Sequence, residues 1–172
     1  LPAYEMATVF DFAWAIFFAV IATFVGWGFI FCTKFFKNLF GKLKTPIYVK
    51  TLIGGLLLGT IAFYLPITRY FSHFEIETLL VGDFTIKFLV AVLIFKIIAI
   101  AITVTSGWRG GFIIPLFFCG TALGLLIHTI FPSLNLSLTI VSCMAAINAC
   151  VTRTPMSTTI LLATLTGFTY FI

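Results

Sequence analysis

Charged residues are scarce in this sequence. They make up 9% of its 172 residues, and five of them are acidic. A soluble globular domain carries about 25% charged residues. This chain has too few to cover a water-facing surface, so its solvent is lipid or other membrane-buried protein. With 62% hydrophobic residues and 22 phenylalanines spread along its length, no single small core could take its apolar side chains.

Catalytic material is missing as well. None of the five acids lies within a long apolar run, and neither His73 nor His128 has a triad partner. Walker-type and dinucleotide-binding glycine patterns are absent. Cys32, Cys119, Cys143 and Cys150 sit inside apolar segments without metal-ligand spacing. They read as free buried thiols acting as small hydrophobes, with Cys143 and Cys150 on one helix face. The sequence therefore predicts no enzyme, no metal and no cofactor. Leu1 to Met6 lacks the basic segment of a cleavable signal peptide, and a start at Leu reads as an excerpt of something longer.

The net charge of +5 does not indicate nucleic acid. Lys34, Lys37, Lys42, Lys44 and Lys50 fall in one 17-residue stretch between two apolar segments. Clustered lysine in a short loop marks the cytoplasmic side of a membrane protein. The reading is an integral, multi-pass protein of the cell membrane, with 34–50 as a cytoplasmic loop and the lipid bilayer as its main partner.

Apolar runs set the architecture. Ala13 to Thr33 gives 21 residues without a charge, enough for a hydrocarbon core of about 30 Å. The second run lies between Lys50 and Arg69, contains Gly54, Gly55 and Gly59, and ends near Pro66. Residues 70–86 carry His73, Glu75, Glu77 and Asp83, and read as an exposed loop or a short interfacial helix. A third run, Phe88 to Ser106, is broken only by Lys96. That lysine either faces the protein interior, as functional intramembrane charges do, or snorkels or pairs structurally. Phe112 to Phe131, closed by Pro132, comes next. Leu136 to Val151 and Thr154 to Ile172 are short for spanning segments. The fold class is an all-α integral membrane protein of about six helices, with 1–172 as one transmembrane unit.

Between the third and fourth runs lies Gly107-Trp108-Arg109-Gly110-Gly111, followed by a new helix starting near Ile113 or Ile114. Pro115 suits its first turn, where the missing N–H was an orphan anyway. Two readings stay open. The break is an ordinary surface turn, or it lies at membrane depth, where irregular backbone is tolerated only against protein or a cavity. In the second case the helix N-terminus offers unpaired N–H groups and about half a positive charge to an anion. Such a site holds an anion weakly enough to release it, and broken helices of this kind recur in transporters.

Ser106-Gly107-Trp108-Arg109-Gly110-Gly111-Phe112-Ile113-Ile114-Pro115 resembles the pattern of the CLC chloride channel and exchanger family: Ser-Gly, two residues, Gly-Gly, then x-Phe-x-Pro. Gly120-Thr121-Ala122-Leu123-Gly124 is similar to the small-residue stretch of the same helix. Met144-Ala145-Ala146 and Thr152-Arg153-Thr154-Pro155-Met156-Ser157 resemble further family segments in the same order. Trp14 to Leu43 looks like the long tilted helix that opens the family's second half, and Thr51 to Pro66 like the Gly-rich helix after it. Lys96 falls where the family often has a basic residue. Two positions depart: Ile113 stands for the family's Phe, and Thr164 for an acid.

The resemblance implies one half of an inverted-repeat fold with tilted or broken helices. It implies selective transport of chloride or a similar anion. Phe112 and Ile113 N–H groups would donate to the ion, Gly110 and Gly111 would allow its approach, and Ile114 and Pro115 would begin the helix. It further implies a homodimer through helices near 136–172. The missing N-terminal half would carry the Gly-Ser-Gly-x-Pro and Gly-x-Glu-Gly-Pro motifs with the gating glutamate. A pathway-lining tyrosine would lie past this segment; Tyr170 is not at its position. Channel and proton-coupled exchanger are not separated by these residues. Two alternatives remain: half of another inverted-repeat transporter, or a non-transporting assembly subunit.

Overall fold

A computed structural model describes residues 9–69, 72–82, 84–108 and 110–166. Among the described residues the chain forms seven α-helices and a 3-10 turn, with no strand. They are α1 (Val9–Lys42), α2 (Ile47–Tyr64), the turn Pro66–Thr68, α3 (His73–Val81), α4 (Ile86–Thr105), α5 (Ile113–Ile130), α6 (Leu136–Thr152) and α7 (Pro155–Thr166). Tyr170 lies outside the described residues.

Four helices, α1, α2, α4 and α5, are long and apolar enough to cross a membrane. Of the six expected spanning segments, α6 with 17 residues and the described 12 of α7 fall short of a full crossing. The lysine-rich stretch differs from its expectation. It is not a loop: α1 continues through Lys34, Lys37 and Lys42, and α2 resumes at Ile47, leaving 43–46 as the connection. Lysine is a good helix former, and Lys42 sits in the last turn of α1, where a cation complements the helix dipole. Its 34 residues span about 50 Å at 1.5 Å per residue, so α1 is tilted in, or projects beyond, a 30 Å core.

Prolines and polar caps set the other ends. Pro66 stops α2 and opens the 3-10 turn. Asn135 caps α6, its side-chain oxygen accepting from the Leu138 N–H at 3.2 Å, and Arg153 ends that helix in the left-handed region at φ 58°. The polar stretch 70–86 does contain the short helix α3. That helix is not simply exposed, because Leu79 is fully buried and Ile76 packs against the core.

The core is built around α5. Ten consecutive residues, Pro115 to Gly124, are buried. They pack against α6, α4 and α3, and α6 in turn lies between α5 and α1. Gly120 and Gly124 make the α5–α6 approach close. A Cβ at Gly120 would stand 2.5 Å from Met144 Cα, and one at Gly124 2.6 Å from Ile140 Cα. Small residues spaced by four let membrane helices approach in this way. Cys143 is buried in the core, while Cys150 meets α1 at Gly26; the four cysteines are free. Phe10, Phe24 and Phe31 on α1, and Leu52, Leu56 and Phe63 on α2, remain exposed. Such an apolar surface suits lipid or membrane-buried protein.

Candidate anion site at the break before α5

α4 ends at Thr105, and the Ser106 N–H donates back to the Ile102 carbonyl at 2.9 Å. Gly107 follows with φ +98°, a value open to glycine and costly for other residues. Its exposed face abuts Ile47 of α2; a Cβ there would be 2.7 Å from Ile47 Cδ1. The Trp108 indole N–H donates to the Thr51 carbonyl at 3.0 Å. The Thr51 hydroxyl lies within donating range of the Ser106 carbonyl, also at 3.0 Å. The break is thus tied to the first half of α2.

Phe112 is the N-cap residue of α5, at φ −109° and ψ −7°, and no side chain caps the helix. Its carbonyl accepts from the Leu116 N–H at 3.0 Å. Ile113, Ile114 and Pro115 fill the first three helical positions. Geometry denies the first N–H groups an intrahelical acceptor, and Pro115 has none to satisfy. No acidic residue sits in this first turn, so the positive end of the dipole is not neutralised from within the helix.

A cleft of about 470 Å³ opens between α2, α4 and the break. Arg69 and Lys96 line it, as do Gly110, Gly111, Phe112 and Pro115. Of the six residues expected at the site, these four reach the cleft. Ile113 and Ile114 do not line it, and the Ile113 side chain is exposed at 41%. A Cβ at Gly110 or Gly111 would meet nothing within 4 Å, so their cleft side is open. The positive φ of the break falls at Gly107.

Lys96 resolves one of the two open readings. It is buried, at 2% exposure, and does not snorkel. Its ammonium donates to the Thr68 carbonyl at 3.0 Å and stands 5.0 Å from the centroid of the Phe118 ring. Sequence reasoning missed Arg69, whose Nε donates to the Ala62 carbonyl at 2.9 Å. Its signal was its place just after Pro66, where the chain turns back toward α4. Thr51 and Trp108 were missed because their pairing spans 57 residues. Thr164, which replaces the acid, turns its hydroxyl to the Leu161 carbonyl at 2.8 Å. Among the described residues no group of His, Cys, Asp or Glu is placed to hold a metal ion.

Comparison with known proteins places the sequence in a family. An uncharacterized protein of Methanocaldococcus jannaschii is 28% identical over 134 residues, covering 78% of this chain and 34% of that protein. YfeO of Escherichia coli O1:K1, which carries an ion-transport name, is 31% identical over 139 residues, covering 78% of this chain and 32% of its own length. The chain therefore spans about a third of the length of the curated relatives it matches. No solved structure matches it significantly. The family described as voltage gated chloride channel matches residues 2–172, and the chain belongs to that family.

Proposed function

We propose that this chain forms one wall of a pathway for chloride or a similar anion across a membrane. The anion is held by backbone N–H groups at the start of α5, chiefly those of Phe112 and Ile113. The carrying observation is the uncapped N-terminus of α5, reached through Gly110 and Gly111 from a cleft that Arg69 and Lys96 also line. Fixed dipoles aimed at a cavity bind an anion without a directly coordinating cation. The cations further back raise the local anion concentration. The family is one of ion transport rather than catalysis.

The complete pathway needs the N-terminal half of the inverted repeat, which brings the opposite wall and the gating glutamate. Channel and proton-coupled exchange differ in that half. The assembly is a homodimer through the segment near 136–172. Within it α7 offers the contact, because no residue of α6 is exposed, whereas Met156, Ile160 and Leu161 are.

Chloride binding by calorimetry on the complete transporter tests the backbone reading. Ile113→Phe keeps the N–H and should leave affinity within a few-fold. Ile113→Pro removes the N–H at the first helical position; Phe112 before it sits at ψ −7°, which a following proline disfavours, so the comparison uses protein shown to fold. Losing a hydrogen bond to a charged group costs about 1.5–3 kcal/mol, or roughly 10- to 150-fold in affinity. A folded Ile113→Pro protein that binds chloride normally would rule out the N–H at 113 as a donor.

A further inference from the structure

α2 is the least enclosed of the spanning helices, with Gly54 its one buried residue. Arg69 ties its far end through the Ala62 carbonyl, and its polar ties to the break run through Thr51. The Thr51 hydroxyl lies 2.9 Å from the Ile47 carbonyl within α2 and 3.0 Å from the Ser106 carbonyl at the end of α4. One proton is shared between two acceptors, one on each side of the helix contact. The Thr51 carbonyl accepts the Trp108 indole N–H. It has two lone pairs, so it does this without leaving the helical ladder.

The neighbouring glycines make room for the same contact. A Cβ at Gly54 would collide with the Ser106 hydroxyl, and one at Gly55 would touch the Trp108 ring at 3.5 Å. Gly107 places its bare face on Ile47. Residues 47, 51, 54 and 55 of α2 therefore frame the break, and 58, 59, 61 and 62 line the cleft.

We infer that Thr51 and Trp108 are positioning residues of the anion site, through which α2 fixes where the first N–H groups of α5 stand. Trp108 is four residues before Phe112. Downstream of Phe112 the chain is held by the buried body of α5. Upstream, Ser106 is held by the end of α4 through its N–H to Ile102, and α2 adds the ties to Ser106 and Trp108. Without the second anchor the segment at Gly110 and Gly111 has freedom to turn the first N–H groups off the cleft, since a Cβ on either residue would meet nothing within 4 Å. Neither Thr51 nor Trp108 touches the ion; both act by aiming the groups that do.

The inference rests on the anion-binding reading above, and its test separates the two. Chloride affinity and unfolding temperature are measured on the complete transporter carrying Trp108→Phe, Thr51→Val or Thr51→Ser. Trp108→Phe keeps the ring against Gly55 and removes the N–H. Thr51→Val keeps the shape and removes the hydroxyl. Each should weaken chloride binding about five-fold, the size of one ordinary hydrogen bond. The ratio of chloride to nitrate affinity should shift as well, which a purely structural loss would not cause. Thr51→Ser restores the donor and should bind within two-fold of the wild type. Folded Trp108→Phe and Thr51→Val proteins with unchanged affinity and anion ratio would overturn the inference and leave the binding site standing. If neither variant folds, the contact is a folding element and the inference fails. A wild-type protein that binds no chloride removes the anion site itself.

Discussion

Gly120→Ala adds one methyl group where α5 and α6 are closest. The new Cβ would lie 2.5 Å from Met144 Cα, 2.7 Å from Met144 N and 2.9 Å from Met144 Cγ. Carbon atoms in favourable contact stand about 3.5–4.0 Å apart, so the shortfall is about 1 Å. Two of the three obstructing atoms are backbone. A side-chain rotation cannot relieve the clash; the helices must separate. Overpacking of this kind costs about 1–3 kcal/mol. Alanine's better helix propensity returns at most about 1 kcal/mol, so the net loss is about 0–2 kcal/mol against the wild type and about 1–3 kcal/mol against a glycine-to-alanine change that meets no obstacle. Gly124→Ala meets Ile140 in the same way. The two changes should not add, because they share one interface and the first separation accommodates the second. Gly28→Ala on α1 is the control, since a Cβ there meets nothing within 4 Å. The assay is thermal unfolding of the complete transporter in detergent. A Gly120→Ala protein as stable as the Gly28→Ala control would refute the close α5–α6 contact.

Three further outcomes follow from the same contacts. Lys96→Met deprives the Thr68 carbonyl of the ammonium at 3.0 Å and should destabilise the protein by about 1–3 kcal/mol in the same unfolding assay; a neutral substitution would mean that the buried contact contributes nothing. For topology, cysteine placed at Gly41, near the lysine-rich end of α1, should resist an impermeant thiol reagent applied to intact cells, while cysteine at Thr78 on α3 should react; the reverse pattern would invert the orientation. For assembly, Met156→Trp and Ile160→Trp, at exposed positions of α7, should shift the complete protein from dimer to monomer in size-exclusion chromatography, and dimers that persist in both would move the contact off α7.

Much of the fold was legible because lipid imposes a simple rule. Apolar runs of 18 or more residues, one of them interrupted only by Lys96, became α1, α2, α4 and α5, and Pro66 and Pro132 marked ends that the helices respect. The lysine stretch was misread as a loop because charge density was weighed above helix propensity. Lysine is a good helix former, and the break needed Pro46 more than it needed charge. At the site, Gly-Gly before an apolar helix located the break and the start of α5 within a residue. What could not be read was long-range pairing. Nothing in the spacing of Thr51 and Trp108 indicates that one accepts from the other across two helices. Likewise Lys96 was ambiguous until Thr68 and Phe118 were seen around it, since burial of a charge is decided by its neighbours in space.

The two anchors of the site differ in kind, and that difference makes their roles separable. Downstream, the N–H groups at 112 and 113 sit on the helix whose buried body is locked to α6 at Gly120 and Gly124. Upstream, the same segment hangs on α2 by two hydrogen bonds through Thr51. A shift of α5 by about 1 Å, the displacement an alanine at 120 would force, would carry its N–H groups off their acceptor. Hydrogen bonds to them have a working range of only about 2.7–3.2 Å for an oxygen acceptor, and a chloride acceptor would be lost by a similar displacement. Gly120→Ala should therefore lower stability and anion affinity together, because one movement causes both. Loss of the Trp108 N–H leaves the α5–α6 contact intact and should lower affinity with little change in unfolding. Rigid support on one side and a few directed bonds on the other is how a weak site can be held in shape.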